Sequence, residues 1–273
     1  MAIDPEGSFT AEVANLYREL LAHDGIDLRL VQSRGAVESL ALLQDPKSAV
    51  SIAILPSGIT NERKSPELIS LGTLFYEPLW GFSRGRAPRG HEELSGLRIS
   101  IGPEGSGSHV LAEEFLARAG IIDQKSATLL SLPVNESVAK LQSGEIDVAI
   151  LLAAWETPAV HELLTTRNVH VDTFYRADAF VALYPFLQKL TLPEGVADMK
   201  ENQPPNNVVL LATKASLVVR DDLHPAIQYL LLEAASQVHS GSGLFHAAGQ
   251  FPAADTHLLG GLEPYRDLGA DWL

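Results

Sequence analysis

The sequence predicts an α/β protein of two doubly wound lobes that are joined by two crossover strands. Three observations predict this fold class. The chain has 273 residues, of which 46% are hydrophobic, enough for two packed cores. It contains an internal repeat. Each copy of the repeat alternates short apolar strands with amphipathic helices, an order typical of parallel sheets with right-handed crossovers.

The repeat consists of three segments that recur in the same order. The first two return 98 positions later and the third 96 positions later: Pro5–Ser8 as Pro103–Ser106, Glu38–Gln44 as Glu136–Gln142, and Ile52–Leu55 as Val148–Leu151. Three matches at nearly one spacing indicate two copies of one structural unit.

The second copy shows the order of elements most clearly. Its predicted elements are a strand over 97–101, a turn rich in Gly and Ser over 102–108, a helix, a strand over 127–132, a helix over 136–142 and a strand over 146–152. Ser108 is expected to cap the first of these helices, because a hydroxyl there can accept hydrogen bonds from the amides of the first turn.

The first copy has the same order but starts late. Its apolar helix face runs from Val13 to Leu21, and its strands are predicted over 27–31 and 49–55. Only residues 2–4 precede the repeated Pro5, whereas a parallel strand needs about five residues. We therefore expect the natural protein to begin further upstream with an export leader, which would place it in the periplasm or elsewhere outside the cytoplasm.

The segments outside the repeat complete the two lobes. A polar stretch at 83–90 and a Pro- and Asn-rich stretch at 202–207 are candidate hinges. Further predicted elements are a strand over 169–174, a helix over 177–188, a strand over 208–212, a helix beginning near Pro225 and an irregular C-terminal wrap over lobe one. The prediction assigns 1–84 and 202–273 to lobe one and 85–201 to lobe two, and the lobes close like jaws.

Composition excludes several classes of protein. The chain has 20 Lys and Arg against 34 Asp and Glu, a formal charge of −14 that opposes binding to nucleic acids. The longest apolar run, Val148–Trp155, is far shorter than the roughly 18 residues that a membrane-spanning helix needs. The absence of cysteine excludes disulfides, thiolate zinc sites and thiol nucleophiles.

Signals for catalysis and for metal binding are weak. The nine histidines show no His-x-x-x-His or His-Glu-x-x-His spacing, and no Gly-x-Ser-x-Gly motif is present. The turn over 102–108 lacks the Gly-Lys-Ser/Thr of a P-loop, and Val110 stands where a dinucleotide fingerprint needs glycine. We therefore expect a protein that is not an enzyme and that has no catalytic residues, no metal and no cofactor.

The repeated loops are the first candidates for ligand binding. In an open α/β sheet, ligands bind beyond the carboxyl ends of the strands, where helices begin. Ser8 and Phe9 in one lobe should therefore face Ser106, Gly107 and Ser108 in the other. Backbone N–H groups, hydroxyls and the positive end of a helix dipole form a cradle for a carboxylate or another anion. The alternative is that the glycines only form a tight turn and the serine only caps the helix.

Two arginines follow strands at the same edge of the predicted sheets, Arg34 next to Gly35 and Arg176. Either guanidinium could bind a carboxylate in a bidentate manner, or could instead be solvated or paired with an acidic side chain. Four further candidates are chosen by position, with the core as the alternative for the aromatic ones: Ser57, Tyr76, Glu77 and Trp155.

Four segments, Gly35–Ser39, Leu74–Trp80, Gly102–Ser108 and Leu141–Ala149, resemble the TAXI family. This family comprises extracytoplasmic solute-binding subunits of tripartite ATP-independent periplasmic (TRAP) transporters. The resemblance runs from about residue 5 to residue 250. It implies the fold of a type II periplasmic binding protein.

The resemblance also implies a function. The protein would be a monomer that captures a small anionic solute, an organic acid or an amino acid, by closing its lobes, and it would deliver that solute to a membrane transporter. Ligand contacts would fall on Ser106–Ser108, on Arg34–Ala36 and near Tyr76.

Two other functions fit the same lobes. The chain could be the effector-sensing domain of a regulator, in which case a DNA-binding segment would precede it. It could also be an enzyme on the same scaffold, such as a transferase or a dehydratase, in which case a group in the cleft would titrate with activity.

Overall fold

Two long strands, β4 (Leu68–Arg84) and β10 (Val208–Arg220), run antiparallel through the centre of the sheet. The computed structural model describes residues 1–5, 7–61, 63–85, 88, 91–118 and 127–254. Both strands are buried over most of their length and carry mainly apolar side chains, as expected for strands that are covered on both faces.

Lobe one holds three strands that run parallel to one another: β1 (Ala2–Ile3), β2 (Val31–Gln32) and β3 (Ile52–Pro56). Three helices cover them: α1 (Phe9–His23), α2 (Ala36–Gln44) and, after β10, α7 (Pro225–His239), which packs against α1. Pro225 suits the first turn of α7 because the amide that proline lacks has no partner within a helix.

Lobe two repeats this arrangement. Its parallel strands are β5 (Arg98–Ser100), β6 (Thr128–Leu130) and β7 (Val148–Leu152). Its first helices are α3 (Gly107–Arg118), α4 (Val134–Ser143) and α5 (Pro158–Thr165). The remaining elements are a 3₁₀ turn (His91–Leu94), β8 (Val169–Val171), α6 (Ala177–Leu183) and β9 (Gln188–Leu192).

The strand order across the described part of the sheet is β2-β1-β3-β10-β4-β7-β5-β6, with β8 beside β4 and β9 beside β10. β10 pairs with β9 over Val208–Ala212 and with β3 over Ala215–Val219. β4 reaches β7 only over Leu79–Ser83. Each long strand therefore passes from one lobe to the other, and the predicted α/β class with two crossover strands is confirmed. The lobe boundaries at 84/85 and 201/202 stay predictions.

Each lobe has its own core, and β4 contributes to both. In lobe one, Phe75 of β4 packs with Tyr17 of α1 and Leu217 of β10. In lobe two, Trp80 of β4 packs with Leu141 of α4, and its indole N–H donates a hydrogen bond to the Ala153 carbonyl at 2.9 Å. Among the helices that the structure describes, none combines the length and the apolar character that crossing a bilayer requires.

Several elements differ from their predicted extents, and three of the differences have a clear physical cause. The strand predicted over 27–31 pairs only at Val31 and Gln32, because β2 is an edge strand that meets the very short β1. The helix predicted to run to residue 188 ends at Leu183, because Pro185 disfavours helical backbone in the residue before it. The strand predicted to end at residue 212 continues to Arg220, since the polar residues that follow are buried within the sheet.

Part of the predicted C-terminal wrap is described. Ala253 exchanges two backbone hydrogen bonds with Thr73 of β4, at 2.8 and 3.0 Å. Residues 255–273 and much of the predicted hinge at 83–90 lie outside the described residues.

The buried His239–Tyr17 pair predicts how stability depends on pH. His239 Nε2 lies 3.1 Å from the Tyr17 hydroxyl in the lobe-one core, and burial lowers the pKa of His239 to about 4. The unfolded chain, whose histidines titrate near pH 6.5, therefore takes up a proton at a pH where folded His239 does not. This histidine alone should reduce the free energy of unfolding by about 2 kcal/mol between pH 7.5 and pH 5.

Urea unfolding of the wild type and of His239→Gln at both pH values measures this effect. The variant should lose about 2 kcal/mol less than the wild type over the same interval, whatever its absolute stability. Equal losses in the two proteins would show that His239 is not held neutral by the core.

Candidate ligand-binding cleft

A cavity of about 250 Å³ lies between the two lobes. Lobe one contributes the carboxyl ends of β1 and β3 and the first turns of α1 and α2. Lobe two contributes the first turns of α3, α4 and α5. The cavity therefore lies where strands end and helices begin in both lobes, the place at which open α/β sheets bind ligands.

Five helices begin at this cavity. Residues at the N-termini of α1, α2, α3, α4 and α5 all line it. Each helix directs unpaired amides and the positive end of its dipole toward its N-terminus, so their fields add within the cavity. This arrangement favours an anionic group.

Serine side chains cap two of the five helices. The Ser8 hydroxyl accepts a hydrogen bond from the Ala11 N–H and the Ser106 hydroxyl from the His109 N–H, both at 3.2 Å. By contrast, α2, α4 and α5 have no side-chain cap, so a ligand could take the place of one.

The predicted cap at Ser108 is wrong. The Ser106 hydroxyl occupies the capping position, and Ser108 lies inside the first turn of α3. The Ser108 hydroxyl instead accepts a hydrogen bond from the Leu152 N–H at 2.7 Å, which joins α3 to the end of β7.

Two carboxyl groups also line the cavity, that of Asp4 partly buried and that of Glu77 buried. Asp4 follows β1 and accepts a hydrogen bond from the Thr10 hydroxyl at 2.8 Å, while Glu77 lies on β4 where that strand crosses between the lobes. Glu77 is 8% exposed, and no hydrogen bond to its carboxyl group occurs within the described part of the chain.

The pKa of each carboxyl group is raised above its usual value. Burial raises the pKa of Asp4. Burial, together with the charge of Asp4, raises the pKa of Glu77 to about 8. In this environment Glu77 is therefore mostly protonated at neutral pH. A group that donates hydrogen bonds or carries positive charge would be stabilised beside this pair.

Arg34 contributes the one basic side chain among the described residues that line the cavity. Its side chain is 85% exposed, and its Nε lies 3.2 Å from the Glu38 carboxylate one helical turn away. The guanidinium is thus engaged at the rim, and the interior charges of the cavity are the helix dipoles and the two carboxyl groups.

The lobes touch at glycines. The Val37 N–H of lobe one donates a hydrogen bond to the Gly105 carbonyl of lobe two at 3.0 Å. Gly35 has a φ of +145°, and a Cβ at this position would lie 3.0 Å from the Gly105 oxygen. The Phe186 ring also packs directly against Gly58. The structure therefore shows the lobes in close contact around the cavity.

The structure brings eight of the twelve predicted residues to this cavity: Ser8, Phe9, Arg34, Gly35, Glu77, Ser106, Gly107 and Ser108. Whether each contacts a ligand stays a prediction.

The other four lie elsewhere. Ser57 donates hydrogen bonds from its N–H and its hydroxyl to the Lys214 carbonyl, at 2.8 and 3.0 Å. Tyr76 accepts a hydrogen bond from the Gln250 side chain at 3.1 Å, which places it away from Glu77, since neighbours on a strand alternate between faces. Trp155 packs edge-on against His161, and Arg176 lines a separate cavity in lobe two.

Asp4 was not among the ligand-binding residues that the sequence predicted. A signal for it was present in the repeat, because Asp4 precedes the repeated Pro-Glu-Gly-Ser in the first copy where Gly102 precedes it in the second. Such a difference between equivalent positions distinguishes a specific side chain from the shared framework.

The glycine contact predicts that Gly35→Ala hinders closure. The alanine would meet lobe two and would also adopt an unfavourable φ, a strain on the order of 1–3 kcal/mol. In small-angle X-ray scattering, Gly35→Ala should therefore have a larger radius of gyration than the wild type. Gly25→Ala is the matched control, because Gly25 also has positive φ, at +75°, but has no atom within 4 Å of the added Cβ. Identical scattering from the two variants would contradict this account of the contact.

Comparison of the chain with solved structures shows its fold. The GluR0 ligand-binding core from Nostoc punctiforme, in complex with L-glutamate, is 14% identical with a TM-score of 0.54, over 87% of this chain and 90% of that one. An ancestral arginine-binding protein bound to arginine is 10% identical with a TM-score of 0.51, over 87% and 90%. The periplasmic aliphatic sulphonate binding protein SsuA from Escherichia coli is 16% identical with a TM-score of 0.50, over 88% and 74%.

These neighbours bind L-glutamate, arginine or aliphatic sulphonates, and the fold is the bilobal fold of type II periplasmic binding proteins. No curated protein sequence matches the chain. A family model matches residues 8–248, nearly the whole of the described chain. The chain belongs to the NMT1-like family.

Proposed function

We propose that this protein captures a small anionic solute in the interlobe cleft, outside the cytoplasm, and releases it unchanged. It acts as a monomer that delivers the solute to a TRAP-type membrane transporter, in the manner of the TAXI proteins that its sequence resembles. The observation that carries the proposal is the cavity itself, which both lobes enclose and at which five helix N-termini converge.

The helix N-termini support the anionic character of the solute. Each can stabilise a nearby negative charge by roughly 0.3–1 kcal/mol, and more where solvent is excluded. The helices α2, α4 and α5 have no side-chain cap, and among the first-turn amides of α2 the Val37 N–H already donates to the Gly105 carbonyl. A ligand carboxylate would supply the missing acceptor and would be held by both lobes at once, which favours closure.

The carboxyl groups of Asp4 and Glu77 favour an amino acid over other small organic acids as the solute. A second carboxylate beside Asp4 and Glu77 would meet no cation that could balance its charge, because Arg34 is already paired with Glu38. An ammonium group beside Asp4 and Glu77 would neutralise them, while the carboxylate of the same molecule would face the helix N-termini. A zwitterion therefore complements both parts of the cavity, whereas a simple dicarboxylate complements only one.

Isothermal titration calorimetry with matched ligand pairs tests this proposal. Each pair consists of an amino acid and the same acid without its amino group, such as L-glutamate with glutarate or L-leucine with 4-methylpentanoate. We expect at least one amino acid to bind at least tenfold more tightly than its partner, because only the amino acid brings a cation to the carboxyl pair. Absence of binding by every pair, or a preference for the deaminated acids, would contradict the proposal.

The variant Glu77→Gln should abolish most of this preference. It removes the charge that an ammonium group needs but keeps the shape of the side chain, so amino-acid affinity should fall at least tenfold. Glu19→Gln, an exposed change on α1, is the control.

Unfolding of the Glu77→Gln variant does not explain a loss of amino-acid affinity. Because the pKa of Glu77 is raised to about 8, its ionisation destabilises the fold as pH rises toward 8, and Glu77→Gln should be at least as stable as the wild type there.

Amino-acid binding should also release a proton. In the protein without a bound amino acid, the Glu77 carboxyl group is mostly protonated at pH 7. A ligand ammonium group beside it favours its ionised form. Affinity should therefore rise with pH between 6 and 8. Calorimetry at pH 7 in phosphate and in Tris, which differ in ionisation enthalpy, should show up to one proton released in the wild type and none in Glu77→Gln. Equal proton release by the two proteins would assign the linkage to another group.

A further inference from the structure

A second cavity, of about 280 Å³, lies within lobe two. It shares no lining residue with the interlobe cleft. Its floor is formed by β4 and β7, including Gly81 and Ile150, and its walls include the aromatic rings of Phe115, Phe174 and Phe180. The surface inside it is mainly apolar. It is nearly twice the roughly 150 Å³ of an engineered apolar cavity that binds benzene.

One partly buried acidic side chain, Asp172, borders this cavity. The Ser83 hydroxyl donates a hydrogen bond to Asp172 Oδ2 at 2.6 Å. The other carboxyl oxygen, Oδ1, is shielded from solvent and has no hydrogen-bond partner within the described part of the chain. A buried polar atom without a partner costs roughly 1–3 kcal/mol, so its retention calls for an explanation. Burial also raises the pKa of Asp172 to about 7.

A glycine of the sheet, Gly81 of β4, leaves space for this carboxyl group. A Cβ on Gly81 would lie 3.2 Å from Asp172 Oδ2 and 3.3 Å from the Asp172 Cβ, so any larger residue would crowd it. The Asp172 N–H also donates to the Gly81 carbonyl at 2.7 Å, which fixes the backbone beside the cavity. The final torsion of an aspartate side chain is soft, so the carboxyl group can rotate about its Cβ–Cγ bond and present an oxygen to a ligand, and the Ser83 hydroxyl, which also rotates, can follow it.

We propose that this cavity is a second ligand site, which takes an apolar amine with its ammonium group on Asp172 and its hydrocarbon body among the aromatic rings. An ammonium group would supply the donor that Oδ1 lacks. The rings favour a cation as well as a hydrocarbon, because the face of an aromatic ring is electronegative. The site stands apart from the proposed function of the interlobe cleft.

Two arginines near the cavity do not oppose a cation. The Arg118 Nε donates to the Tyr184 hydroxyl at 2.6 Å and lies 3.2 Å from the Glu114 carboxylate, so its charge is already balanced. Arg176 lies at an exposed rim position, where water screens its charge.

Titration of the whole protein with three related probes tests the site, followed by heteronuclear NMR and by calorimetry. The probes are 2-phenylethylamine, ethylbenzene and 3-phenylpropionate, which share a ring and differ in charge. The amine should bind with saturation and shift the amide signals of β4, β7 and α3, at least tenfold more tightly than either of the others. Tighter binding of 3-phenylpropionate would assign the cavity to anions through Arg176 and overturn the proposal. So would failure of the amine to bind.

Two variants separate the role of the carboxyl group from that of the cavity. Asp172→Asn should weaken amine binding at least tenfold without unfolding the protein, because it removes a buried charge. Ala112→Leu fills the cavity from α3, where Ala112 is 1% exposed, and should abolish binding of the amine. Glu77→Gln should leave amine binding unchanged, so this result stands whether or not the cleft binds amino acids. Unchanged amine affinity in either Asp172→Asn or Ala112→Leu would overturn the assignment.

Discussion

The pairing of β4 with β10 is the constraint on which the rest of the structure depends. These strands are paired from Leu79 with Leu211 at one end to Leu68 with Arg220 at the other, and they supply central strands to both lobes. Burial on both faces demands apolar side chains along most of their length. Glu77 is an exception, and it lies opposite Thr213, where the strands pass between the lobes. The position that connects the lobes thus also carries a buried carboxyl group into the cleft.

The electrostatics of the cleft follow from this placement. Parallel strands followed by helices bring five positive helix ends to one cavity, an arrangement that the repeated unit produces in both lobes. Asp4 and Glu77 lie within the same cavity, and burial raises the pKa of each. In the absence of a ligand these carboxyl groups reduce stability, a cost typical of residues that serve binding instead of folding. A zwitterionic ligand offsets that cost, which links capture of the solute to closure of the lobes.

The fold was predictable from the sequence because it follows from the internal repeat and from the periodic spacing of apolar residues. The repeat gives the two lobes, and strand–helix alternation gives the parallel sheets. Two failures have local causes. Pro185 ends α6 early, and the polar residues within β10 made its second half look like a loop in the sequence.

The site was less predictable because a pattern does not show where a side chain points. Tyr76 and Glu77 were equal candidates, although alternation along β4 allows only one of them to face the cavity. Ser108 was predicted as the cap of α3, although the repeat aligns Ser106 with Ser8, the serine that caps α1.

The most direct test of the central claim is the titration of the Glu77 carboxyl carbon by ¹³C NMR, in the empty protein and in the protein saturated with its preferred amino acid. We expect a pKa of about 8 for Glu77 in the free protein and a markedly lower pKa once the amino acid is bound. A Glu77 that titrates near its usual value of about 4.3 in both states would contradict the account, because the carboxyl group would then be neither desolvated by the cleft nor coupled to the ligand.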